Sequence, residues 1–170
     1  MNYASIISFD LANGPGIRVS LFVSGCKFHC PGCFNEKVQD FNFGSKFTDK
    51  QVNIILDRLK HPDFQGLSLL GGDPLWQDEE GTNKLISLCK TVHSMGKDVW
   101  LWTGFNWDDV FRTGTDYQKE LLSNCDVVID GRFEIDKKNL SLYWKGSTNQ
   151  RVIDVKKTLE SKEVVTLQFS

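Results

Sequence analysis

No apolar stretch in this sequence approaches the roughly 20 residues that a helix needs to cross a bilayer, so nothing points to a membrane span. Clusters of one charge are also missing. Lys plus Arg number 20 against 22 Asp plus Glu, spread along the chain, and a net charge of −2 with pI near 5.9 leaves no footprint for nucleic acid. Repeats, low-complexity tracts and linker-like boundaries are absent, and the Gly and Pro residues fall as turn markers between periodic segments. From Met1 onward there is neither a basic n-region nor an apolar h-region, so the expected setting is cytoplasmic and reducing, where thiols stay reduced. The five cysteines are an odd number, which also speaks against a disulfide framework. What is present is 170 residues, 40% hydrophobic and 25% charged, the composition of one globular domain over 1–170 with a real core.

Three of the cysteines, Cys26, Cys30 and Cys33, lie in Ser24-Gly25-Cys26-Lys27-Phe28-His29-Cys30-Pro31-Gly32-Cys33, directly after an apolar run from Val19 to Val23 that reads as a strand. Thiolates gathered in this way select zinc or iron–sulfur clusters over hard cations. Three ligands leave one position of a four-iron cluster without a nearby protein donor, and open positions are where metal centres do chemistry. Structural zinc is the rival: His29, or the distant Cys89, Cys125, His61 or His93, could complete a tetrahedral site. Zinc ligands usually come two and two, but spacing alone leaves both readings open.

Along the chain, strands alternate with helices. Apolar runs at Ser5 to Phe9 and Arg18 to Val23 flank the turn Asn13-Gly14-Pro15-Gly16. Thr48 with Gln51 makes a capping box, and Val52, Ile55, Leu56 and Leu59 give the following helix one apolar face before His61-Pro62. A short buried strand, Leu67 to Leu70, stops at Gly71-Gly72-Asp73-Pro74, and a second helix buries Leu85, Leu88, Cys89 and Val92. Asp98 to Trp102 reads as a strand ending at Thr103-Gly104. A weaker helical stretch to about Leu122 leads to Asp126 to Ile129, which ends at Asp130-Gly131. Cys89 and Cys125 therefore read as core residues.

This repetition favours an α/β fold with a mostly parallel sheet, helices on one side, and the carboxyl strand ends gathered on one edge. The cysteine loop, Gly71-Gly72-Asp73-Pro74, Trp102-Thr103-Gly104 and Asp130-Gly131-Arg132 all fall just past strand ends, where α/β barrels build active sites. About four or five such units cannot close the eight-membered barrel, so an open, partial barrel is expected. A glycine pair after a strand is most often a tight turn. Beside an open iron it would also let backbone groups approach a polar ligand, with the Asp73 carboxylate as acceptor. Trp100, Trp102 and Trp107 read first as core, and only second as a stacking surface for a purine.

Cys26-x-x-x-Cys30-x-x-Cys33 followed by Gly71-Gly72-Asp73-Pro74 resembles the radical S-adenosylmethionine (SAM) superfamily. Asn13-Gly14-Pro15-Gly16, Leu21 to Cys26, Cys30-Pro31-Gly32-Cys33, Gly71 to Leu75, Trp102-Thr103-Gly104, Asp130-Gly131-Arg132-Phe133 and Gly146-Ser147-x-Asn149-Gln150 are together similar to its branch that activates anaerobic ribonucleotide reductases. The resemblance implies that Cys26, Cys30 and Cys33 bind three irons of a [4Fe–4S] cluster while SAM chelates the fourth. It implies Gly71, Gly72 and Asp73 at the methionine moiety, and Gly32, Cys33 and Phe34 on the adenosine side. Many members carry an aromatic residue just before the third cysteine, where this chain has Gly32 with Phe34 just after it. One electron would cleave SAM to methionine and a 5′-deoxyadenosyl radical, which takes hydrogen from a glycine on the reductase large subunit. A flavodoxin-type electron donor is implied as a second partner. Asp130, Arg132, Asn149 and Gln150 match positions of that branch without a role derivable from sequence, and Arg132 reads as a solvated or structural residue. The alternatives are another small radical enzyme, such as a pyruvate formate-lyase activase or a deazapurine synthase, and a non-enzymatic zinc module.

Overall fold

Period-two alternation gives the central strands two unlike faces, one for helices and one for a cavity. In the computed structural model, which describes residues 1–169, β1 (Asn2–Asp10) and β2 (Ile17–Val23) form an antiparallel hairpin. There follow β3 (Ser45–Lys46), α1 (Asp49–Leu59), β4 (Phe64–Gly71), α2 (Glu79–Ser94), β5 (Asp98–Trp102), α3 (Trp107–Thr113), α4 (Asp116–Ser123), β6 (Val127–Asp130), β7 (Arg151–Asp154) and α5 (Val155–Ser161). They build one seven-stranded sheet in the order β3-β1-β2-β4-β5-β6-β7.

The four central strands β2, β4, β5 and β6 are parallel, as the strand–helix repetition predicts. The flanks are antiparallel, which it does not predict. The β1–β2 connection is shorter than the dozen or so residues a parallel crossover requires, so these strands can pair only as a hairpin. β7 returns antiparallel to β6 after a long excursion. The sheet is open, with β3 and β7 at its two edges.

Val19, Leu21 and Val23 of β2, Leu67 and Leu69 of β4, Val99 and Leu101 of β5 and Val128 of β6 point to one face. There they meet Ile55 and Leu59 of α1, Leu85, Leu88, Cys89 and Val92 of α2, and Leu121 and Leu122 of α4. Cys89 and Cys125 are core residues, as read from the sequence. Helix starts follow the expected chemistry. The Thr48 N–H donates to the Gln51 side chain at 2.9 Å, and Asp78 accepts from the Gly81 N–H at 2.7 Å to open α2. The weak helical stretch is two helices, because Thr115 and Gln118 form a second capping box just after Gly114.

The opposite face carries Arg18, Ser20, Phe22, Ser68, Leu70, Trp100 and Trp102, polar at the strand starts and apolar at the strand ends. Arg18 is fully buried. Its guanidinium donates to Asp98 (2.6 Å), Ser68 Oγ (2.7 Å) and the Leu67 carbonyl (2.9 Å), and lies 5.6 Å from the Trp100 ring. Ser68 Oγ in turn donates to the Asn13 carbonyl, fastening the β1–β2 turn. Gly14, at φ +110°, is needed because a Cβ there would lie 2.8 Å from the Arg18 side chain. These contacts give Asn13 and Gly14 of the Asn13-Gly14-Pro15-Gly16 motif a structural role. Arg18→Ala removes the buried donor shared by Asp98, Ser68 and the Leu67 carbonyl, and is expected to cost about 3 kcal/mol in urea denaturation.

Candidate functional site

β2 delivers the cysteine loop to the edge where the parallel strands end. The loop then makes a tight turn, Cys30-Pro31-Gly32-Cys33, closed by the Cys33 N–H donating to the Cys30 carbonyl at 3.1 Å. Proline in second place and glycine at φ +73° in third are the residues a type II turn demands. Cys26, Cys30 and Cys33 are all half-buried and all line one cavity of about 650 Å³. Gly71, Gly72, Asp73, Trp102, Thr103 and Gly104 line the same cavity. Sequence motifs as distant as those of Cys26 and Gly104 are therefore brought to one site.

The two glycines owe their identity first to the backbone beside them. The Gly72 N–H donates to the Val23 carbonyl (2.7 Å) and the Asp73 N–H to the Gly25 carbonyl (2.8 Å), so the ends of β2 and β4 are zipped together. A Cβ on Gly71, at φ +113°, would come within 2.5 Å of Val23 backbone, and one on Gly72 within 2.5 Å of the Gly25 carbonyl. Asn35 Nδ2 donates to the Gly71 carbonyl at 3.3 Å, tying the segment after the third cysteine to the same loop. Asp73 is almost wholly buried, and its carboxylate accepts from Gly104 N–H (2.8 Å), Leu75 N–H (2.9 Å) and Thr103 Oγ1 (2.9 Å). It therefore joins the β4 and β5 loops, which is why Thr103-Gly104 accompanies it in the sequence.

Burial pushes the Asp73 carboxyl up to about 6, against those three donors, which pull it down. The folded chain then binds this proton more tightly than the unfolded one, where the ordinary 3.8 applies. Stabilisation from this group is complete below about pH 4 and lost as pH rises through about 6, a change of up to about 3 kcal/mol. Urea melts of metal-free wild type and Asp73→Asn at pH 4 and pH 7 should show a stability gap that changes by roughly 2–3 kcal/mol between the two.

The far wall is the connection between β6 and β7. Phe133, Leu140, Leu142, Trp144, Gly146 and Gln150 from it reach the cavity. Gln150 organises the segment: its Oε1 accepts from Gly146 N–H (2.8 Å) and Ser147 N–H (3.2 Å), and its Nε2 donates to the Gly131 carbonyl (2.9 Å). Asn149 Nδ2 donates to the Arg132 carbonyl at 2.8 Å. Asp130, buried beneath, accepts from Arg151 (2.6 Å) and from the Trp107 N–H (2.8 Å). Asn149 and Gln150 thus brace the turn after β6 at Gly131 and Arg132, while Asp130 ties Arg151 and the start of α3 beneath it.

Of the three tryptophans, Trp107 is core and stacks on Phe111 at 4.5 Å, and Trp100 is buried on the cavity side of the sheet. Trp102 alone lines the cavity, its Nε1 donating to the Trp144 carbonyl at 2.6 Å. Phe34 is 60% exposed, on the rim, with its ring 4.9 Å from Phe133. Gly32 is exposed and off the cavity lining, beside Ile135, which a Cβ would meet at 2.7 Å. Residues that the sequence reading did not single out are Asn35, Trp144 and the aromatic group of Phe28, Trp76 and Phe105. Phe28 lies 4.8 Å from Phe105 and 5.5 Å from Trp76, on Gly104. Only the spacing of Phe28 between two cysteines could have signalled it.

The donor chemistry of the cavity suits a thiophilic metal group. Burial pushes the Cys26 thiol up to about 12, and burial followed by the Cys33 neighbour raises Cys30. Uptake of a metal therefore has to displace protons, and loading should improve as pH rises. His29 is turned to Gln39, with Nδ1 2.7 Å from Oε1, while His93 pairs with Asp126 and His61 lies beside Asp63. Cys89 and Cys125 are in the core. Among the described residues, no three His, Cys, Asp or Glu side chains converge as the ligands of a single ion would. A multi-iron cluster places each thiolate on a different iron, and the three cysteines around one cavity suit that better than one zinc. Trp144, which lines the cavity, carries a buried Nε1 with no acceptor among the described residues.

Residues 12–153 match the family model described as a 4Fe-4S single cluster domain. The chain is 41% identical over 153 residues to the anaerobic ribonucleoside-triphosphate reductase-activating protein of Enterobacteria phage T4, covering 89% of this chain and 93% of that one. The protein of the same name from Escherichia coli K12 is 39% identical over 159 residues, covering 89% and 97%. That from Pasteurella multocida is 41% identical over 154 residues, covering 88% and 95%. With the cysteine triplet and the cavity around it inside the matched span, this chain belongs to the family of anaerobic ribonucleoside-triphosphate reductase-activating proteins.

Proposed function

We propose that this chain is a radical SAM enzyme that places a glycyl radical on the large subunit of an anaerobic ribonucleotide reductase. The observation that carries the reading is the one cavity lined by Cys26, Cys30 and Cys33 together with Gly71, Gly72 and Asp73. In this reading Cys26, Cys30 and Cys33 hold a [4Fe–4S] cluster as its only protein ligands, and the open sheet with helices on one face is the partial barrel of that superfamily. When bound and reduced, the cluster supplies one electron that cleaves the carbon–sulfur bond of SAM, and the 5′-deoxyadenosyl radical so released takes hydrogen from the target glycine.

The protein supplies position and shelter. About 650 Å³ is in the range of small-molecule sites and suits a ligand of nucleoside size. The Gly71-Gly72 backbone presents polar groups for the methionine end, and Asp73 keeps that loop against Thr103-Gly104. Gly32, Cys33 and Phe34 border the adenosine end. Trp102, Phe133, Leu142 and Trp144 make the remaining wall apolar, which keeps water away from a radical. The open side of the cavity, where exposed Phe34 and Leu140 lie, admits a glycine loop. A flavodoxin-type protein in the cytoplasm is the proposed electron donor, and among the described residues no helix is long and apolar enough to cross a membrane.

The test is anaerobic incubation of reconstituted protein with dithionite, SAM and the reductase large subunit. Formation of 5′-deoxyadenosine together with a glycyl radical on the reductase supports the reading. Cleavage of SAM that leaves the reductase without a radical would redirect it to another small radical enzyme. No cleavage, with zinc retained, would leave a structural metal module.

A further inference from the structure

Arg132 has no ion pair and donates no side-chain hydrogen bond among the described residues, although it stands beside the cysteine loop. The other arginines are engaged: Arg18 on Asp98, Arg58 on the Ser8 carbonyl, Arg112 on Asp109 and Arg151 on Asp130. The Arg132 guanidinium carbon instead lies 4.4 Å from the centre of the Phe28 ring, within the range of a cation–π contact. Phe28 sits between Cys26 and Cys30 and is itself fixed by Phe105, Trp76 and Gly104.

The backbone of Arg132 is held on both sides. Its own carbonyl accepts from Asn149 Nδ2 (2.8 Å), and the preceding Gly131 accepts from Gln150 Nε2 (2.9 Å) while donating to the Phe105 carbonyl (3.0 Å). Asn149 and Gln150 thus set where the guanidinium can go. A long cation placed by a brace, stacked on a ring of the ligand loop and left without a carboxylate partner, is arranged to act on an anion in that loop.

We propose that Arg132 is a positioning residue whose charge, held over Phe28 by the Asn149-Gln150 brace, stabilises the reduced form of the iron–sulfur centre carried by Cys26, Cys30 and Cys33. This rests on the proposed function. A centre bound by three thiolates becomes more negative when it takes up an electron from a low-potential donor, and a nearby fixed cation favours that form. Arg132 is exposed, so solvent screens the effect, and roughly tenfold in the reduction equilibrium is the expected size.

The experiment is a potentiometric titration followed by electron paramagnetic resonance on anaerobically reconstituted full-length wild type, R132Q and R132K, with iron measured in each. R132Q should hold as much iron as wild type and be about tenfold harder to reduce, which for a one-electron couple is about 59 mV more negative. R132K, which keeps the charge, should stay within about threefold of wild type. An R132Q midpoint equal to wild type at equal iron overturns the proposal, as does loss of iron in both variants, which would mark a structural role only. Should R132Q alone load poorly, N149A decides: it keeps the charge and removes the brace. Its midpoint should move in the same direction by about threefold, and an unmoved N149A midpoint overturns the proposal. If wild type forms no cluster, the proposed function itself fails; a wild-type cluster with an unmoved R132Q sinks only the role of Arg132.

Discussion

Cys30→Ala should fold normally, take up little iron, and form 5′-deoxyadenosine at least about a hundredfold more slowly than wild type. The thiol is half-buried in a loop at the cavity and belongs to neither apolar cluster, so its loss removes no packing that the sheet depends on. What is lost is a soft donor that no other described residue replaces, since His29 is turned to Gln39 and Cys89 and Cys125 are in the core. Circular dichroism and thermal melts of the metal-free chains would show fold retention, and iron with labile sulfide would show the missing centre. Cys89→Ala is the converse control. It opens space in the core and should cost about 1–2 kcal/mol, but it should load iron as wild type does. Full iron and full cleavage in Cys30→Ala would remove this residue from the site.

Gly71→Ala should lose about 2–4 kcal/mol of stability and most SAM binding together. Two costs combine at this position. The backbone is at φ +113°, where an alanine is strained, and the added Cβ would lie 2.5 Å from both the amide nitrogen and the carbonyl oxygen of Val23. Neither is a flexible side chain that can swing away. Relief requires β4 to part from β2 at the point where Gly72 and Asp73 bind the cysteine loop, so the damage is passed to the cavity wall. Gly96→Ala separates the two costs: it too has positive φ, at +75°, but nothing lies within 4 Å of its Cβ. It should cost only about 1 kcal/mol and leave SAM binding unchanged. Equal effects at the two positions would mean that strain alone, and not the clash between the strand ends, decides the outcome at Gly71.

Much of the site could be read from the sequence because its signals are local. The run from Val19 to Val23 and the Pro31-Gly32 turn need only neighbours to form, and Thr48 with Gln51 caps α1 within one turn. The apolar faces of α1 and α2 and the core places of Cys89 and Cys125 follow from the helical period. Alternation could not reveal which strands are antiparallel, since the pattern is the same for either direction; the shortness of the Leu11 to Gly16 connection was the available clue. From sequence Asp73 reads as an acceptor for the methionine moiety, while its partners Thr103 and Gly104 lie about 30 residues away and are visible only once β4 and β5 are side by side. The brace of Asn149 and Gln150 on Gly131 and Arg132 is equally remote in sequence, and its segment has almost no regular secondary structure to announce it. Phe28 was unremarked because its partners Trp76 and Phe105 come from two other loops.

The central claim is that this cavity holds a four-iron centre with one iron open to SAM. Electron paramagnetic resonance of anaerobically reconstituted, dithionite-reduced protein, recorded with and without SAM, tests it most directly. The account predicts a reduced [4Fe–4S] signal whose shape changes when SAM is added. A protein that stays silent and retains zinc, or a cluster signal indifferent to SAM, would contradict it.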